Sequence, residues 1–576
     1  MYSRIRKISS GSRQKIIILE RHLKNLSSAR HNSTIIKSPI PDVNIPNVTL
    51  PEFIFADFLK YPHKTALECN LTGKKFTFEE VLMKSINLNK ALRKKLKLSP
   101  GDIVAVLLPN VPEYPICVLG SLLANLIVSP INPIYTPDEI CKQLKDTEAK
   151  AIFTLTSLAP LANAAAKLAN RTVPTITIKM ASTDSTPDGT IDLRQLMDSK
   201  WDVEDLSPGG CNDIAVLPYS SGTTGLPKGV ELTHRNIIAN ICQVTDTHVR
   251  LAQETTDEHQ DVVPAILPLF HIFGLTGVLL THLKNLCKVV TVPRFSPEQF
   301  LQLLTKHQPQ ILFVVPPIVG LMANQSELKK EYLQPVRTIC SGAAPLGRKD
   351  EEKLKSKVGS HIEIIQGYGL TETSPAVFMA SKRSKTRGVR GSVGEPLPNT
   401  SIKLITADSS QREINSPQDV GEIHVKGPQV MRGYYKKDKE TNEAFADGWF
   451  KTGDVGYYDE HGMFFISERI KELIKVKGFQ VAPTELEEIL RNHPDIIEAA
   501  VIGVPHKQYG EVPKAYVVPK HNQQADVDGI QRYVAEKVAK YKHLKGGIEV
   551  VEAIPKTTSG KILRSELRKE YQKAAQ

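Results

Sequence analysis

The sequence is poor in cysteine, in aromatic residues and in long apolar runs. It has seven cysteines and two tryptophans in 576 residues, and no two cysteines have the C-x-x-C spacing. Scattered cysteines in odd number argue against a disulfide framework or a zinc site, and they favour a reducing compartment. The most apolar stretch, Tyr114 to Val128, is interrupted by Pro115 and Asn125 and is too short to span a bilayer. We therefore predict a buried core helix there and no transmembrane segment.

Acidic residues are nearly absent from residues 1–40. This segment has nine Lys and Arg residues and eight serines, but only one acid, Glu20, so eight of the twelve net positive charges of the chain lie in it. An Arg-rich, Ser-rich and acid-poor segment is typical of a mitochondrial transit peptide. We therefore predict a leader over residues 1–40 and a location in the mitochondrial matrix. The alternative is a basic tail with no targeting function on a cytoplasmic protein.

The rest of the chain is close to neutral. Only four of the twelve net positive charges lie beyond residue 40, so the composition predicts no nucleic-acid-binding surface. The C-terminal residues Lys573–Gln576 differ from the Ser-Lys-Leu peroxisomal signal. A chain of this length predicts one large and one small domain.

Short apolar runs alternate with helical patterns from about residue 43 to residue 467. The runs Ile103–Leu108, Ala151–Thr154 and Ile311–Val315 are typical of buried strands. Thr136 and Ser296 each precede a proline and have an acid or amide three residues on, as helix N-caps do. The alternation predicts an α/β fold in which residues 43–467 form a large N-terminal domain of packed mixed sheets with helices.

Two later regions depart from this alternation. The short alternating run Gly421–Gly427 predicts a β-rich subdomain. Residues 472–576 predict a small α+β C-terminal domain, because Thr484–Glu487 has the pattern of a capping box and Ile530, Val534, Val538 and Tyr541 recur at helical spacing between strand-like runs. The charged residues 468–471 between the two bodies suit a solvated hinge.

The stretch Tyr219–Gly229 combines three glycines with serines, threonines and Lys228. We predict that it lies between a strand, Asp213–Leu217, and a helix, Glu231–Ile241. Glycines let backbone N–H groups approach an anion, hydroxyls add donors, and the lysine adds a positive charge. The stretch is therefore predicted to bind phosphate, although it lacks the P-loop spacing. A flexible linker is the alternative.

Three further stretches offer groups for nucleotide chemistry. Gln366–Glu372 follows a predicted strand and offers room for a flat ring, an aromatic ring to stack on it, and ligands for phosphate or Mg²⁺. Trp449–Asp454 puts a carboxylate after a turn, where it could bind a ribose. Pro555–Arg564 puts Lys561 beyond a glycine turn. Taken singly, these could also be an ordinary turn, an exposed turn aspartate and a solvated lysine.

Together these stretches resemble the acyl-adenylate-forming superfamily, which includes acyl-CoA synthetases, 4-coumarate:CoA ligases and beetle luciferases. The resemblance covers roughly residues 45–570 and is strongest to the 4-coumarate:CoA ligase-like branch. The stretches that carry it are Tyr219–Gly229, Pro268–His271, Ser341–Pro345, Gln366–Glu372, Thr452–Asp454, Lys471–Pro483 and Gly560–Lys561.

The resemblance implies a two-step reaction that uses ATP, Mg²⁺ and CoA. The carboxylate of a hydrophobic acid, fatty or aryl, attacks the α-phosphorus of ATP and gives acyl-AMP and pyrophosphate. The CoA thiol then attacks the acyl carbonyl and releases AMP. Between the two steps the small, mobile C-terminal domain is expected to rotate about Lys471, so that Lys475 replaces Lys561.

The resemblance also implies a set of site residues. The catalytic residues are Lys561, Lys475, His271 and Thr371. The ATP- and AMP-binding residues are Ser220, Ser221, Gly222, Thr223, Thr224, Lys228, Gln366, Gly367, Tyr368, Thr371, Asp454, Arg469, Lys471, Lys475 and Lys561. CoA contacts Lys477 and Gly478, the acyl pocket contains His271, Phe273, Gly342, Ala343 and Gly369, and Glu372 binds Mg²⁺. One departure from the pattern is Glu468, where relatives usually have Asp, which leaves open a tuned hinge equilibrium.

Two alternatives keep the nucleotide site but change the outcome. The acyl group could pass to another acceptor, either oxygen as in luciferases or a carrier-protein thiol, or the protein could bind nucleotide without catalysis. The sequence has no carrier domain and no missing catalytic charge, which favours the CoA ligase. It leaves open which acid is used, although a mitochondrial location favours fatty or other aliphatic acids.

Overall fold

The structure, a computed structural model, describes residues 35–204, 207–220, 227–383, 389–406, 410–476, 479–520, 526–557 and 560–574. It consists of a large body and, beyond residue 473, a smaller C-terminal module with apolar cores of its own. Most of the leader predicted for residues 1–40 lies outside the described residues. The predicted bounds 43–467, 468–471 and 472–576 stay predictions.

The largest sheet of the body has nine strands among the described residues. Its parallel part confirms the strands predicted at Ile103–Leu108 and Ala151–Thr154. In spatial order the strands are Tyr219–Ser220, Lys228–Thr233, Ile214–Val216, Ile127–Pro130, Ile103–Leu107, Ala151–Leu155, Thr175–Ile178 and Ile191–Asp192, and Gly433–Tyr434 pairs with Lys228–Thr233.

Two smaller sheets complete the α/β part of the body. The first is parallel over Ile311–Val314, Thr338–Ser341 and Glu363–Gly369 and continues antiparallel with Ala376–Met379 and Glu395–Pro396. The second contains, in spatial order, Val262–Ala265, Lys288–Thr291, Thr65–Cys69 and Lys75–Thr77. These mixed sheets confirm the predicted fold class.

The β-rich subdomain is confirmed as an antiparallel six-stranded sheet. Side chains on one face of it form a separate apolar cluster that includes Ile402, Ile423 and Phe464. The strands are Ile36–Lys37, Ser401–Ile405, Gly421–Lys426, Trp449–Tyr458, Phe445–Ala446 and Phe464–Arg469.

Helices cover the sheets. Those of the body are Leu50–Phe55, Phe78–Lys94, Tyr114–Leu123, Pro137–Thr147, Ala159–Leu168, Leu193–Met197, His234–Thr245, the π-helix Phe273–Leu280, Thr281–Lys284, Pro297–His307, Pro316–Asn324, Arg348–Val358 and Asp438–Ala444. Single 3₁₀ turns lie at Phe58–Lys60, Thr156–Leu158, Lys330–Leu333, Thr371–Thr373, Ile470–Glu472 and Lys540–Lys542.

The two N-caps predicted from sequence are present. Thr136 Oγ1 accepts the N–H of Glu139, whose carboxylate accepts the N–H of Thr136 at 2.8 Å. Ser296 Oγ accepts the N–H of Gln299 at 3.2 Å. These bonds satisfy donors that the first turn of a helix leaves unpaired, which fixes where each helix begins.

The C-terminal module is an α+β unit, as predicted. Its sheet contains Phe479–Val481, Ile474–Val476, Gly510–Pro519, Ile496–His506 and Ile548–Val550, and its helices are Pro483–Arg491, Val527–Ala535 and Arg564–Ala574. Two details of the prediction were wrong. Thr484 lies inside its helix and donates its hydroxyl to Ser467 O at 2.7 Å instead of capping it. The last helical residue of the second helix is Ala535, so Val538 and Tyr541 lie beyond it.

The stretch Glu231–Ile241 was predicted to be a helix, and this was wrong at its start. Residues Lys228–Thr233 form a strand, and the helix begins at His234. The reason is that Thr233 caps the helix by exchanging two hydrogen bonds with Asn236, while Val230 and Leu232 are buried between neighbouring strands. The phosphate-binding stretch is therefore flanked by two antiparallel strands.

The apolar stretch from Tyr114 to Val128 is divided between two elements. It forms the fully buried helix Tyr114–Leu123 and the start of the strand Ile127–Pro130. Within the part of the chain that the structure describes, no helix combines the length and the apolar character needed to cross a membrane.

Candidate active site

A cavity of about 910 Å³ lies where the body meets the C-terminal module. Its walls come from the strands Lys228–Thr233 and Glu363–Gly369, from the helical stretch that begins at Phe273, and from the loop that carries Lys561. The predicted site residues that line it are Ser220, Lys228, His271, Phe273, Gly342, Ala343, Gly367, Tyr368, Gly369, Thr371, Glu372, Arg469, Lys471 and Lys561. The fold thus brings together residues that are distant in sequence.

Other predicted residues lie elsewhere. The buried Gln366 side chain accepts from Leu346 N–H at 3.2 Å and donates to Glu351 at 3.3 Å, so it is engaged outside the cavity. Lys475 is exposed on the strand Ile474–Val476 of the module. Outside the described residues lie Ser221, Gly222, Thr223, Thr224, Lys477 and Gly478.

The strands that flank the predicted phosphate-binding stretch are held from both sides. Tyr219 pairs with Gly229 across the antiparallel ladder, and its hydroxyl donates to Asp146 of a neighbouring helix. Lys228 Nζ lies 5.0 Å from the centre of the Tyr434 ring. These contacts fix the two ends of the stretch at the cavity wall.

Glu372 is the buried carboxylate of the cavity. Its Oε1 accepts from Ser220 Oγ and from Tyr434 OH, each at 3.0 Å. A single carboxylate beside a phosphate-binding stretch fits Mg²⁺, which proteins commonly bind through one or two carboxylates and substrate phosphates. Within the described ranges no cluster of three or more His, Cys, Asp or Glu forms a metal site made of protein alone. Tyr434 was missed from sequence because its contact with Glu372 spans sixty-two positions.

Tyr368, Asp454 and Arg469 form a chain of contacts along one wall. Tyr368 OH donates to Asp454 Oδ2 at 2.7 Å, and Arg469 Nε lies 3.1 Å from Asp454 Oδ1. Burial and the Asp454 charge raise the pKa of the Tyr368 phenol. Asp454 was predicted to follow a turn, but it lies within the strand Trp449–Tyr458 and pairs with Arg469 across the ladder.

Gly369 has a backbone role in this wall. A Cβ at this position would lie 1.9 Å from Pro375 O, so no other residue fits without moving the backbone. The strand Glu363–Gly369 therefore turns back closely on Ala376–Met379 and leaves the edge at Gly367 open to the cavity.

Lys561 enters the cavity from the C-terminal module on a tight loop. Thr557 N–H donates to Lys561 O at 2.8 Å, and Lys561 N–H donates to Thr557 Oγ1 at 3.1 Å. Gly560 has φ +81°, and a Cβ there would lie 2.5 Å from Pro317 Cγ of the body. The loop is thus shaped by its own hydrogen bonds and by contact with the body.

The Lys561 side chain lies deep in the protein, and its remaining accessible surface faces the cavity. Burial, followed by the Arg469 charge, lowers the pKa of Lys561, while Asp454 and Glu372 act in the opposite direction. Burial and the charge of Lys561 lower the pKa of His271 to about 4. A buried ammonium beside a neutral imidazole is a favourable position for an anion.

The segment between body and module is less solvated than predicted. Glu468 is buried and accepts from the N–H groups of Arg469 at 2.9 Å and Thr484 at 3.1 Å. Arg564 of the module lies 3.8 Å from Glu468 and donates to both oxygens of Glu487 at 2.9 Å. The prediction of a solvated hinge was therefore wrong at Glu468, because the module packs directly over it, whereas Lys471 is exposed at the cavity rim.

Aromatic rings form the wall on the side of His271. Phe273 and Phe313 meet edge to face with centroids 6.1 Å apart, and His282 meets Phe313 in the same way at 5.1 Å. A Cβ on Gly342 would extend to 3.0 Å from the Phe273 ring, so this glycine leaves room for the ring. Phe313 and His282 line the cavity but had no motif to reveal them in the sequence.

Comparison with known proteins gives a consistent result. The model of the AMP-binding enzyme family matches residues 55–435, and that of the AMP-binding enzyme C-terminal domain matches residues 485–561. The chain is similar to probable 4-coumarate–CoA ligase 1 of Dictyostelium discoideum, with 36% identity over 93% of this chain and 97% of the relative. It is 35% identical to 4-coumarate–CoA ligase 2 of Solanum tuberosum over 94% of this chain and 98% of the relative.

A solved structure shares the same architecture. ATP-bound MatB from Rhodopseudomonas palustris is 30% identical in sequence and superposes with a TM-score of 0.81, covering 92% of this chain and all of MatB.

Proposed function

Because this chain belongs to the family of AMP-binding enzymes and is an AMP-forming acid–thiol ligase, we propose that its acid is hydrophobic, either fatty or aryl. In the first step the carboxylate attacks the α-phosphorus of ATP, the bond to the β-phosphate breaks, and acyl-AMP and pyrophosphate result. In the second step the CoA thiol loses its proton and attacks the acyl carbonyl, and AMP leaves.

The observation that carries this proposal is the position of Lys561. Its ammonium lies at depth in the cavity, and none of the described residues forms an ion pair or hydrogen bond with it. A carboxylate and a phosphate repel one another, and a cation between them offsets this repulsion as charge shifts from the attacking oxygen. Lys561 is placed to bridge the two, with Thr371 and His271 on the same cavity wall.

Nucleotide binding is assigned to the surrounding residues. Gly367 and Tyr368 would contact the adenine, and Asp454 with Arg469 would hold the ribose. Ser220 and Lys228 support this assignment by flanking the stretch proposed to bind the β- and γ-phosphates. Glu372 would hold Mg²⁺, which when bound offsets phosphate charge.

The second step requires the module to move. Lys475 is exposed and remote from the cavity, so a rotation about Lys471 would exchange Lys561 for Lys475 and bring Lys477 and Gly478 to CoA. The rotation would break the contacts of Glu468 with Thr484 and Arg564.

The acid pocket would lie along the wall formed by His271, Phe273, Gly342, Ala343 and Gly369. We further propose a mitochondrial location, supported by the composition of residues 1–40, and with it a role in fatty acid metabolism. Replacing Arg4, Arg6 and Arg13 by Gln in the full chain should shift a fluorescent fusion from mitochondria to cytoplasm. An unchanged distribution would contradict the leader.

A panel of acids tests the reaction itself. The full-length protein is incubated with ATP, Mg²⁺, CoA and acids from short-chain to long-chain and aryl, and AMP release is measured. We expect release with at least one hydrophobic acid and acceleration by CoA. AMP formation that CoA leaves unchanged would contradict the assignment of CoA as acceptor.

A further inference from the structure

The cavity continues past His271 into a narrower region, here called the acyl arm. It lies between the helix His234–Thr245 and the helical stretch Phe273–Lys284, which pack against one another. Its walls are mainly apolar and include Val244, Leu251, Ala252, Gly277, Phe313 and Met379. A largely apolar arm that leads away from the reacting carboxylate is suited to the hydrophobic part of an acid.

Three polar side chains interrupt these apolar walls, and two of them are already engaged. Asn240 donates to Gln243 and to Ala376 O and accepts from Ala376 N–H. Thr281 donates its hydroxyl to Thr276 O at 2.7 Å. The third is His282, whose residue is only 2% exposed and whose ring faces the cavity beside Phe313.

The hydrogen bond of His282 fixes its tautomer. Nδ1 lies 2.7 Å from Val278 O, and a carbonyl oxygen only accepts, so Nδ1 carries a proton. Burial lowers the pKa of the ring to about 4, so the imidazole is neutral near pH 7. Nε2 therefore carries a lone pair, and no described residue donates a hydrogen bond to it.

An acceptor left without a donor in a buried position is costly, by about 1–3 kcal/mol. Leucine or phenylalanine would fill the same space against Phe313 without this cost. The unpaired acceptor is therefore best explained by a donor that arrives with the ligand.

We propose that His282 is a specificity-determining residue whose Nε2 accepts a hydrogen bond from a hydroxyl group that the acid carries away from its carboxylate. This inference rests on the proposed function, because it concerns the acid bound at the same site. It narrows the substrate class from hydrophobic acids to hydrophobic acids with a distal hydroxyl.

The first test uses the unmodified full-length enzyme and matched pairs of acids. Each pair shares one aliphatic or aryl skeleton and differs by one distal hydroxyl, and the pairs vary in length. We expect one pair in which the hydroxylated acid has a kcat/KM for pyrophosphate release at least about tenfold higher than its partner. Equal or lower values for the hydroxylated acid in every pair would overturn the proposal.

The second test asks whether His282 is the origin of this preference. His282→Leu should reduce the ratio of the two kcat/KM values about tenfold, and His282→Gln, which keeps an acceptor, should restore part of it. His307→Leu replaces another buried histidine, outside the cavity, and should leave the ratio unchanged. A ratio that survives in His282→Leu would overturn the proposal.

The two proposals fail in distinguishable ways. If no acid of either kind releases pyrophosphate, the proposed function fails. If acids are activated without any hydroxyl preference, only the role of His282 fails. Should His282→Leu not fold, as judged by its thermal melting, the result with unmodified enzyme and the His282→Gln ratio still decide the question.

Discussion

Lys561 and Lys475 belong to the same C-terminal module, yet their surroundings are opposite. Lys561 enters the cavity on a loop that contacts Pro317 of the body, and Arg469 and Glu372 act on its charge. Lys475 lies exposed on a strand, and its N–H donates to Glu511 of the module at 2.9 Å.

This difference teaches that a single arrangement of body and module can serve one half of the reaction. The arrangement in the structure supplies a cation to the cavity through Lys561 alone of these two lysines. A second arrangement is needed for Lys475. The two half-reactions should therefore depend on different lysines.

Removing Lys561 should have the largest effect. We expect Lys561→Ala to slow acyl-AMP formation about thousandfold, because the cation between two anions is lost. Pyrophosphate release from ATP and acid measures this step. Lys542→Ala, which removes a lysine paired with Glu485 on the surface of the same module, is the control and should retain normal rates. Full pyrophosphate release by Lys561→Ala would refute the assignment.

Removing Lys475 should have the next largest effect, and on the other step. Lys475→Ala should slow thioester formation about hundredfold while acyl-AMP formation stays within about twofold. Single-turnover measurement of acyl-AMP and acyl-CoA separates the two rates. Equal losses in both would mean that Lys475 acts on the overall structure.

Much of this comparison could be predicted from the sequence, and the reasons are physical. Buried strands such as Ile103–Leu107 have continuous apolar runs, and the cap at Thr136 depends on residues close in sequence. Local patterns of this kind need no knowledge of the tertiary structure. The grouping of Lys561 with Glu372 depended on a family resemblance, since no spacing relates them.

The remaining features depend on contacts between distant segments. The strand Lys228–Thr233 was predicted as helix because its pairing partners are not adjacent in sequence. Glu468 was predicted to be solvated because its charge suggests exposure, and only the packing of the module buries it. Tyr434 and His282 have no signal in the sequence, because each acquires its role from a neighbour across the cavity.

Glu468 offers a way to shift the balance between the two arrangements. Glu468→Gln removes the charge that faces Arg564, so the arrangement with Lys561 in the cavity should become less favourable. We expect acyl-AMP formation to slow about tenfold and thioester formation to remain unaffected or become faster. Glu488→Gln, a change at an exposed position of the neighbouring helix, is the control. Equal slowing of both steps would contradict this role.

The pH dependence of the first step should show the smallest effect. Because the pKa of Lys561 is lowered from 10.5, its charge and the kcat/KM for acyl-AMP formation should decline at a lower pH than an ordinary lysine would give. Lys561→Arg should move this decline to higher pH. Since the pKa of His271 is lowered to about 4, no change near pH 6.5 should come from this residue. A decline that Lys561→Arg leaves in place would assign it to another group.

The most direct test supplies chemically prepared acyl-AMP and CoA to both variants and measures acyl-CoA in a single turnover. The account predicts that Lys561→Ala converts the supplied acyl-AMP at nearly the rate of the unmodified enzyme, although it forms little acyl-AMP itself. Lys475→Ala should convert it about a hundred times more slowly. Slow conversion by Lys561→Ala together with rapid conversion by Lys475→Ala would contradict the division of the reaction between the two lysines.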